Sequence, residues 1–91
     1  MEKYPQLNGA IANILRERRE SLGLSKRKLA ELAWLERVYI IQLEKGSKQP
    51  TLNAIFYISE ALGLQPSDFV RLVEDEIAKL AKSASDSNPP N

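Results

Sequence analysis

Five side chains between Arg37 and Lys45 combine basic, amide and branched apolar groups along one short stretch. At about 100° per residue of helix, an arc of roughly 140° contains Arg37, Val38, Ile41, Gln42 and Lys45. A guanidinium can donate two hydrogen bonds to a guanine edge, an amide can pair with adenine, and branched side chains can contact thymine methyls. The set predicts that Arg37, Val38, Ile41 and Gln42 read bases in a DNA major groove.

The surrounding sequence predicts two short helices joined by a tight turn, the second of which carries this face. Ser25 suits the N-cap of the first helix, whose inward residues are Leu29, Ala30 and Ala33. The second helix is expected from about Glu36 to Lys45 and ends at Gly46, a residue that favours the position after a helix. Its inward residues are Ile40 and Leu43.

The run LSKRKLAELAWLERVYIIQLEKG, residues 24–46, resembles the helix-turn-helix of phage-repressor and Cro-like proteins, also called the xenobiotic-response-element family. That family's pattern is roughly L-S-Q-x-E-L-A, a turn with glycine, and a helix ending Y-I-S-x-I-E-x-G. The LERVYI segment is also similar to the LDRTYI run of restriction-modification controller proteins. The resemblance implies an all-α, five-helix domain like that of lambda repressor, with the helix-turn-helix at its second and third helices.

The resemblance also implies roles outside the base-reading face. In relatives, the arginine four residues before the glycine that ends the first helix pairs with a glutamate of the recognition helix, which implies a structural ion pair between Arg19 and Glu44. Relatives contact DNA phosphates from the start of the second helix and from the loop after the third. The phosphate-contacting residues expected here are Lys26, Arg27, Lys45, Lys48 and Gln49.

Three residues depart from the family pattern. Lys26 replaces the usual glutamine and keeps a phosphate ligand, while Lys28 replaces the glutamate that would close a capping box. Trp34 replaces the turn glycine. A bulky residue at positive φ costs about 1–2 kcal/mol. We therefore expect either a remodelled turn or an indole that packs over the helices.

Three further helices complete the expected domain, which spans residues 6–82 between a flexible N-terminus, 1–5, and a disordered tail, 83–91. The first helix runs from about Gln6 to Leu22, with inward residues Leu7, Ile11, Ile14, Leu15 and Leu22. The fourth begins after the Thr51 N-cap and has inward residues Leu52, Ile55, Ile58 and Leu62.

The fifth helix, about 66–82, carries an apolar stripe that we expect to mediate dimerisation. The stripe consists of Phe69, Val73, Ile77 and Leu80. With the flanking Val70 and Leu72, this is more apolar surface than four short helices are expected to cover, so we expect part of it to meet a second copy of the chain.

Charge is distributed unevenly along the sequence. Residues 1–50 hold ten Lys or Arg and six Asp or Glu, a net charge of +4, whereas residues 51–91 hold three and six, a net charge of −3. Basic groups therefore accompany the predicted helix-turn-helix, as expected for a face that meets phosphates. Arg16 and Arg18 fit either that face or an ordinary solvated helix end.

The sequence offers little for catalysis. The 91 residues include no Cys and no His, and the carboxylates Glu74, Asp75 and Glu76 are consecutive, so they point around a helix instead of converging. We expect neither an enzyme nor a cofactor, metal or small-molecule ligand. No apolar run approaches the ~20 residues of a membrane span, so we expect a cytoplasmic protein.

Two functions remain. The first is a sequence-specific transcriptional regulator, a repressor or autoregulator, that binds double-stranded DNA at a near-palindromic operator as a homodimer. The second is a protein-interaction module on the same fold, such as a toxin-binding antitoxin or a helix-turn-helix that has lost DNA binding. Exposed apolar groups at Trp34, Val38 and Ile41 favour the second, although valine and isoleucine also suit thymine methyls.

Overall fold

Five α-helices account for most of the chain in the computed structural model, which describes residues 3–86. They are α1 (Leu7–Ser21), α2 (Lys26–Ala33), α3 (Arg37–Glu44), α4 (Leu52–Ala61) and α5 (Pro66–Asp86). Within residues 3–86 there is no strand. α1 packs against α3 and α5, α2 packs against α3 and α4, and α4 packs against α5. The all-α, five-helix prediction is confirmed, with α2 and α3 as the helix-turn-helix.

Side-chain caps start two of the helices where the sequence predicts them. The Ser25 hydroxyl accepts a hydrogen bond from the Lys28 N–H at 2.9 Å, and the Thr51 hydroxyl accepts one from the Ala54 N–H at 3.0 Å. Each bond satisfies a backbone donor that the first helical turn leaves unpaired. Pro66 is the first residue of α5, where its missing N–H costs nothing.

The turn between α2 and α3 has the backbone geometry of a glycine turn, although Trp34 occupies it. Trp34 has φ 59°, close to the values of 69° to 73° at Gly23, Gly46 and Gly63, which follow α1, α3 and α4. The Leu35 N–H returns to the Ala30 carbonyl at 2.9 Å, and Trp34 donates to the Glu31 carbonyl. These two bonds are those of a Schellman motif.

Both expectations for Trp34 are therefore wrong. The turn is not remodelled, because the left-handed conformation is kept. The indole does not cover the helices either, since the side chain is 85% exposed. The hydrogen bonds around the turn keep the tryptophan in a conformation that glycine would adopt without strain.

One core joins all five helices. Its fully buried members include Leu15, Leu29, Ile40, Leu43, Ile58 and Phe69. Leu22 and Leu52, expected to be inward, are exposed. Leu22 follows the last residue of α1, and Leu52 is the first residue of α4, so neither lies on a helical turn that faces the core.

The α5 stripe lies on the protomer's own core, so the predicted dimer interface is wrong for its first half. Phe69 and Val73 are buried, with Phe69 0% exposed, and Ile77 and Leu80 are half-buried against the same core. α5 runs antiparallel to α1: Leu80 lies beside Gly9, and Asn13 donates to the Glu76 carboxylate at 3.0 Å. α1 runs beside α5 and covers part of the stripe, so a role of Ile77 and Leu80 in a dimer interface stays a prediction.

α5 also continues past its expected end at Lys82 and reaches Asp86. Residues 83–86, which were predicted to belong to a disordered tail, are therefore helical. The segment contains neither Gly nor Pro, so no helix-breaking residue stops α5 before Asp86. The rest of the predicted tail, 87–91, and the first two residues of the predicted N-terminus lie outside the described residues. Across residues 3–86, no helix is long and apolar enough to span a membrane.

The expected ion pair between Arg19 and Glu44 is present and joins α1 to α3. Arg19 Nε donates to one carboxylate oxygen of Glu44 at 2.6 Å, and Nη2 donates to the other at 3.0 Å. Arg19 Nη1 donates to the Leu24 carbonyl at 2.8 Å, so the same guanidinium also holds the chain that enters α2. Both side chains are buried, and the hydrogen bond to Glu44 raises the pKa of Arg19 against the opposing effect of burial.

We predict that Arg19→Ala destabilises the fold far more than loss of an exposed ion pair. Removing Arg19 leaves the Glu44 carboxylate buried without its partner, which costs about 3–5 kcal/mol. Arg27→Ala is the matched control, because Arg27 pairs with Glu31 at 3.5 Å on the surface, where a pair contributes below about 1 kcal/mol. Urea denaturation of both variants measures the difference. Equal losses of unfolding free energy would contradict a structural role for the buried pair.

Candidate nucleic-acid interface

The outer face of α3 presents the four predicted base-reading side chains to solvent. Arg37 and Val38 are exposed, and Ile41 and Gln42 are half-buried. On the opposite side, Ile40 and Leu43 are completely buried and fix the rotation of the helix. The four side chains therefore share one surface, as predicted. Contact with bases stays a prediction.

Arg37 is the first residue of α3 and is free of carboxylate partners within residues 3–86. The preceding Glu36 has an extended backbone, and its carbonyl accepts hydrogen bonds from the Tyr39 and Ile40 N–H groups. Its side chain makes no capping hydrogen bond. The guanidinium of Arg37 is thus available at the start of α3, with no carboxylate of the described residues bound to it.

The start of α2 provides one predicted phosphate site. Lys26 and Arg27 are exposed in the first turn, where backbone N–H groups and the helix dipole also favour an anion. Arg27 is partly committed, because its Nε lies 3.5 Å from Glu31. Lys26 forms no ion pair within the described residues, so it is the less restrained of the two cations.

The end of α3 and the following loop provide the second predicted phosphate site. Lys45, Lys48 and Gln49 are all exposed there. The Lys48 ammonium lies over the Tyr39 ring, 5.5 Å from its centroid, an attractive cation–π arrangement that holds the charge near α3. The three side chains border the reading face at the end opposite Arg37.

The structure adds two residues to this surface that sequence reasoning missed. Tyr39 accepts a hydrogen bond from the Thr51 N–H at 3.2 Å, which leaves its own hydroxyl proton for another acceptor. Lys3 lines the same hollow as Gln49, so the N-terminal segment brings another cation to the loop. No sequence pattern indicated that Tyr39 would contact Lys48 and Thr51, because both lie beyond the end of α3. Nothing in the sequence placed Lys3.

The described residues offer no alternative chemistry at this surface. Within residues 3–86 no three acidic side chains converge in an arrangement that suits a metal ion. The side chains at this surface are donors, cations and apolar groups on the outer face of α3, on the loop after it and at the start of α2. Such a surface can bind a polyanion and contact its bases.

Comparison with known proteins agrees with this geometry. The pattern of the family described as helix-turn-helix matches residues 15–69, the segment from late α1 into α5. The chain belongs to this helix-turn-helix family, whose members are transcriptional regulators. Its sequence is 36% identical over 69 residues to an HTH-type transcriptional regulator, described as uncharacterised, of Methanothermobacter thermautotrophicus, covering 76% of this chain and all of that protein.

Two crystal structures show the same fold. The clp gene regulator ClgR from Corynebacterium glutamicum is 27% identical, with a TM-score of 0.82 over 90% of this chain and 87% of that one. The restriction-modification controller protein C.AhdI from Aeromonas hydrophila is 33% identical, with a TM-score of 0.64 over 66% of this chain and 91% of that one. The predicted resemblance to such controllers is confirmed.

We predict that Arg37→Ala and Lys26→Ala weaken DNA binding in different ways. Loss of Arg37 removes a base contact, so affinity for a selected site falls by about 1–3 kcal/mol and preference relaxes at one base pair. Loss of Lys26 removes a phosphate contact, so affinity falls on every sequence and the salt slope shrinks by about one. Fluorescence anisotropy on selected and scrambled duplexes measures both. If Arg37→Ala instead lowers the affinity equally for every sequence, Arg37 contacts a phosphate and not a base.

Proposed function

We propose that the protein is a homodimeric transcriptional repressor or autoregulator that reads a near-palindromic operator with α3. The observation that carries the proposal is the reading face of α3, held by Ile40, Leu43 and Glu44 from behind and bordered by cations at both ends. Phosphate contacts on two sides would fix the register of the helix, and the side chains between them would select the sequence.

A surface on α4 supports the dimeric part of the proposal and replaces the α5 stripe as the candidate interface. Leu52 and Phe56 are 70% and 52% exposed, and Tyr57 lies beside them. Together with Leu64 and Pro66 from the α4–α5 turn, these side chains line an open groove of about 900 Å³. We call this the α4 groove. Adjacent exposed apolar side chains of this size are typical of an interaction surface.

Two-fold symmetry links this groove to the operator. A two-fold interface uses the same patch on both protomers. Since the groove lies outside α3, two copies joined there keep both reading faces exposed. Recognition helices of such a dimer suit half-sites about 34 Å apart, one turn of B-DNA. Linking two weak half-site contacts in this way raises the overall affinity by avidity.

One observation favours a protein-binding module instead. Val38 is more than half exposed on α3, close in sequence to the exposed Trp34, and a protein partner could cover both apolar groups. A toxin-binding antitoxin or another protein partner would use such a group. In the DNA-binding proposal, the same side chain contacts a thymine methyl.

Selection from a random oligonucleotide pool, followed by binding across a salt series, separates the two functions. The proposal predicts one enriched, near-palindromic sequence whose affinity falls steeply as salt rises, because phosphate contacts release counterions. Lys45→Ala should lower that slope while leaving the selected sequence unchanged. A pool that shows no enrichment at low salt would instead favour the protein-binding module.

We predict that Phe56→Asp converts the protein to monomers. A buried charge in the α4 groove would oppose association, and binding to a full operator would fall to the level of a half-site. Leu52→Ala and Leu22→Ala form a matched pair, since both leucines are exposed but only Leu52 lines the groove. Sedimentation equilibrium should show weaker association for Leu52→Ala alone. A wild-type chain that stays monomeric at tens of micromolar, about the concentration of a weak dimer, would contradict dimerisation.

A further inference from the structure

Trp34 combines a strained backbone with a side chain that contacts little of its own protomer. It is the chain's single tryptophan, it holds φ 59°, and its side chain is 85% exposed. The same left-handed turn is made by glycine after α1, α3 and α4. A tryptophan in that conformation lowers the stability of the protomer and gains no packing there in return.

Trp34 lies beside the α4 groove of its own protomer. Trp34, Leu32, Tyr57 and Glu60 line a hollow of about 170 Å³ between α2 and α4. Tyr57 and Glu60 also line the α4 groove, so the hollow and the groove are neighbours on one continuous face. A protruding ring and an open groove therefore stand side by side on the same surface.

We propose that the indole of Trp34 inserts into the α4 groove of a second copy of the chain, and that the second copy's tryptophan does the same in return. This inference rests on the proposed homodimer and identifies the side chain that holds it together. A two-fold interface must be self-complementary. A protruding indole and an open groove on the same face of each protomer satisfy this condition. Tyr57 and Glu60 line both features, so they would separate the indole from the groove within each protomer's half of the interface.

The chemistry of the groove fits an indole. Its walls include the apolar surfaces of Phe56, Leu64 and Pro66, and its rim carries Glu60 and Gln65. An inserted indole needs an acceptor for its N–H, which the Glu60 carboxylate or the Gln65 amide oxygen can supply. At Gly63 no atom lies within 4 Å of where a Cβ would be, so the groove is open on that side.

The charge of the groove favours a second copy over DNA as the occupant. Among the described residues that line the groove, Glu60 alone is charged, and its carboxylate would repel a phosphate backbone. Tryptophan is among the residues that contribute most at protein interfaces, particularly in pockets that exclude water. An indole that becomes buried on association also explains why the turn tolerates the strain.

Fluorescence excited at a wavelength that tryptophan absorbs and tyrosine does not tests the inference directly, because Trp34 is the chain's single tryptophan. As the concentration of the full chain rises through the range where sedimentation shows dimers, the emission maximum should move to shorter wavelength. Emission that stays at the wavelength of a solvent-exposed indole while dimers form would overturn the inference.

Trp34→Gly separates association from folding, because its two effects have opposite signs. Glycine adopts the left-handed conformation without strain. The melting temperature of Trp34→Gly, measured at a concentration where the wild type is monomeric, should therefore rise. The dissociation constant of the dimer should increase at least tenfold. Trp34→Phe, which keeps an aromatic ring, should recover part of the association, and Trp34→Asn, which tolerates the turn without a ring, should not.

Failure of the Trp34 inference can be distinguished from failure of the proposed homodimer. If Trp34→Gly dimerises as tightly as the wild type, the inference is overturned and the homodimeric regulator stands. If Trp34→Gly loses affinity for an isolated half-site, the indole contacts DNA and the inference is overturned. If the wild type never dimerises, both the inference and the proposed dimer are overturned. Weaker binding of Trp34→Gly to the full operator, with half-site affinity unchanged, supports the inference.

Discussion

The buried contact of Arg19 with Glu44 is the constraint on which the rest of the molecule depends. α3 has eight residues. An isolated helix shorter than about 12–15 residues is unstable in water, so tertiary contacts must stabilise α3. The ion pair ties its last residue to α1, and the third nitrogen of the same guanidinium binds the Leu24 carbonyl just before α2. One side chain thus sets the relative positions of three helices.

Much of this architecture could be predicted from local physical chemistry. Ser25 and Thr51 cap helices because their hydroxyls satisfy first-turn N–H groups, and glycine ends helices because it adopts positive φ freely. The spacing of Ile40 and Leu43 defined the inner side of α3, so its outer face followed. That the outer side chains share one surface could therefore be predicted from helical periodicity alone.

What could not be predicted depended on which helices are neighbours in space. Periodicity shows that α5 has an apolar stripe, but only the fold shows that α1 covers it, through Gly9 and Asn13. Leu52 fits the inward pattern of α4, yet it lies at the first residue, beyond the edge of the core. The candidate dimer interface is therefore on α4 and not on α5. The conformation of Trp34 was predicted wrongly for a local reason, because hydrogen bonds around the turn outweigh the side chain's preference.

The bond from the Thr51 N–H to the Tyr39 hydroxyl ties the side of α3 to the residue that caps α4. With Arg19 holding the other end, α3 has little freedom to swing within its protomer. A pair of such protomers joined along α4 would present two reading helices at a fixed separation. A duplex whose half-sites do not match that separation would have to bend or twist to meet them. Base pairs between the half-sites would be selected for how easily they deform, although no side chain reaches them.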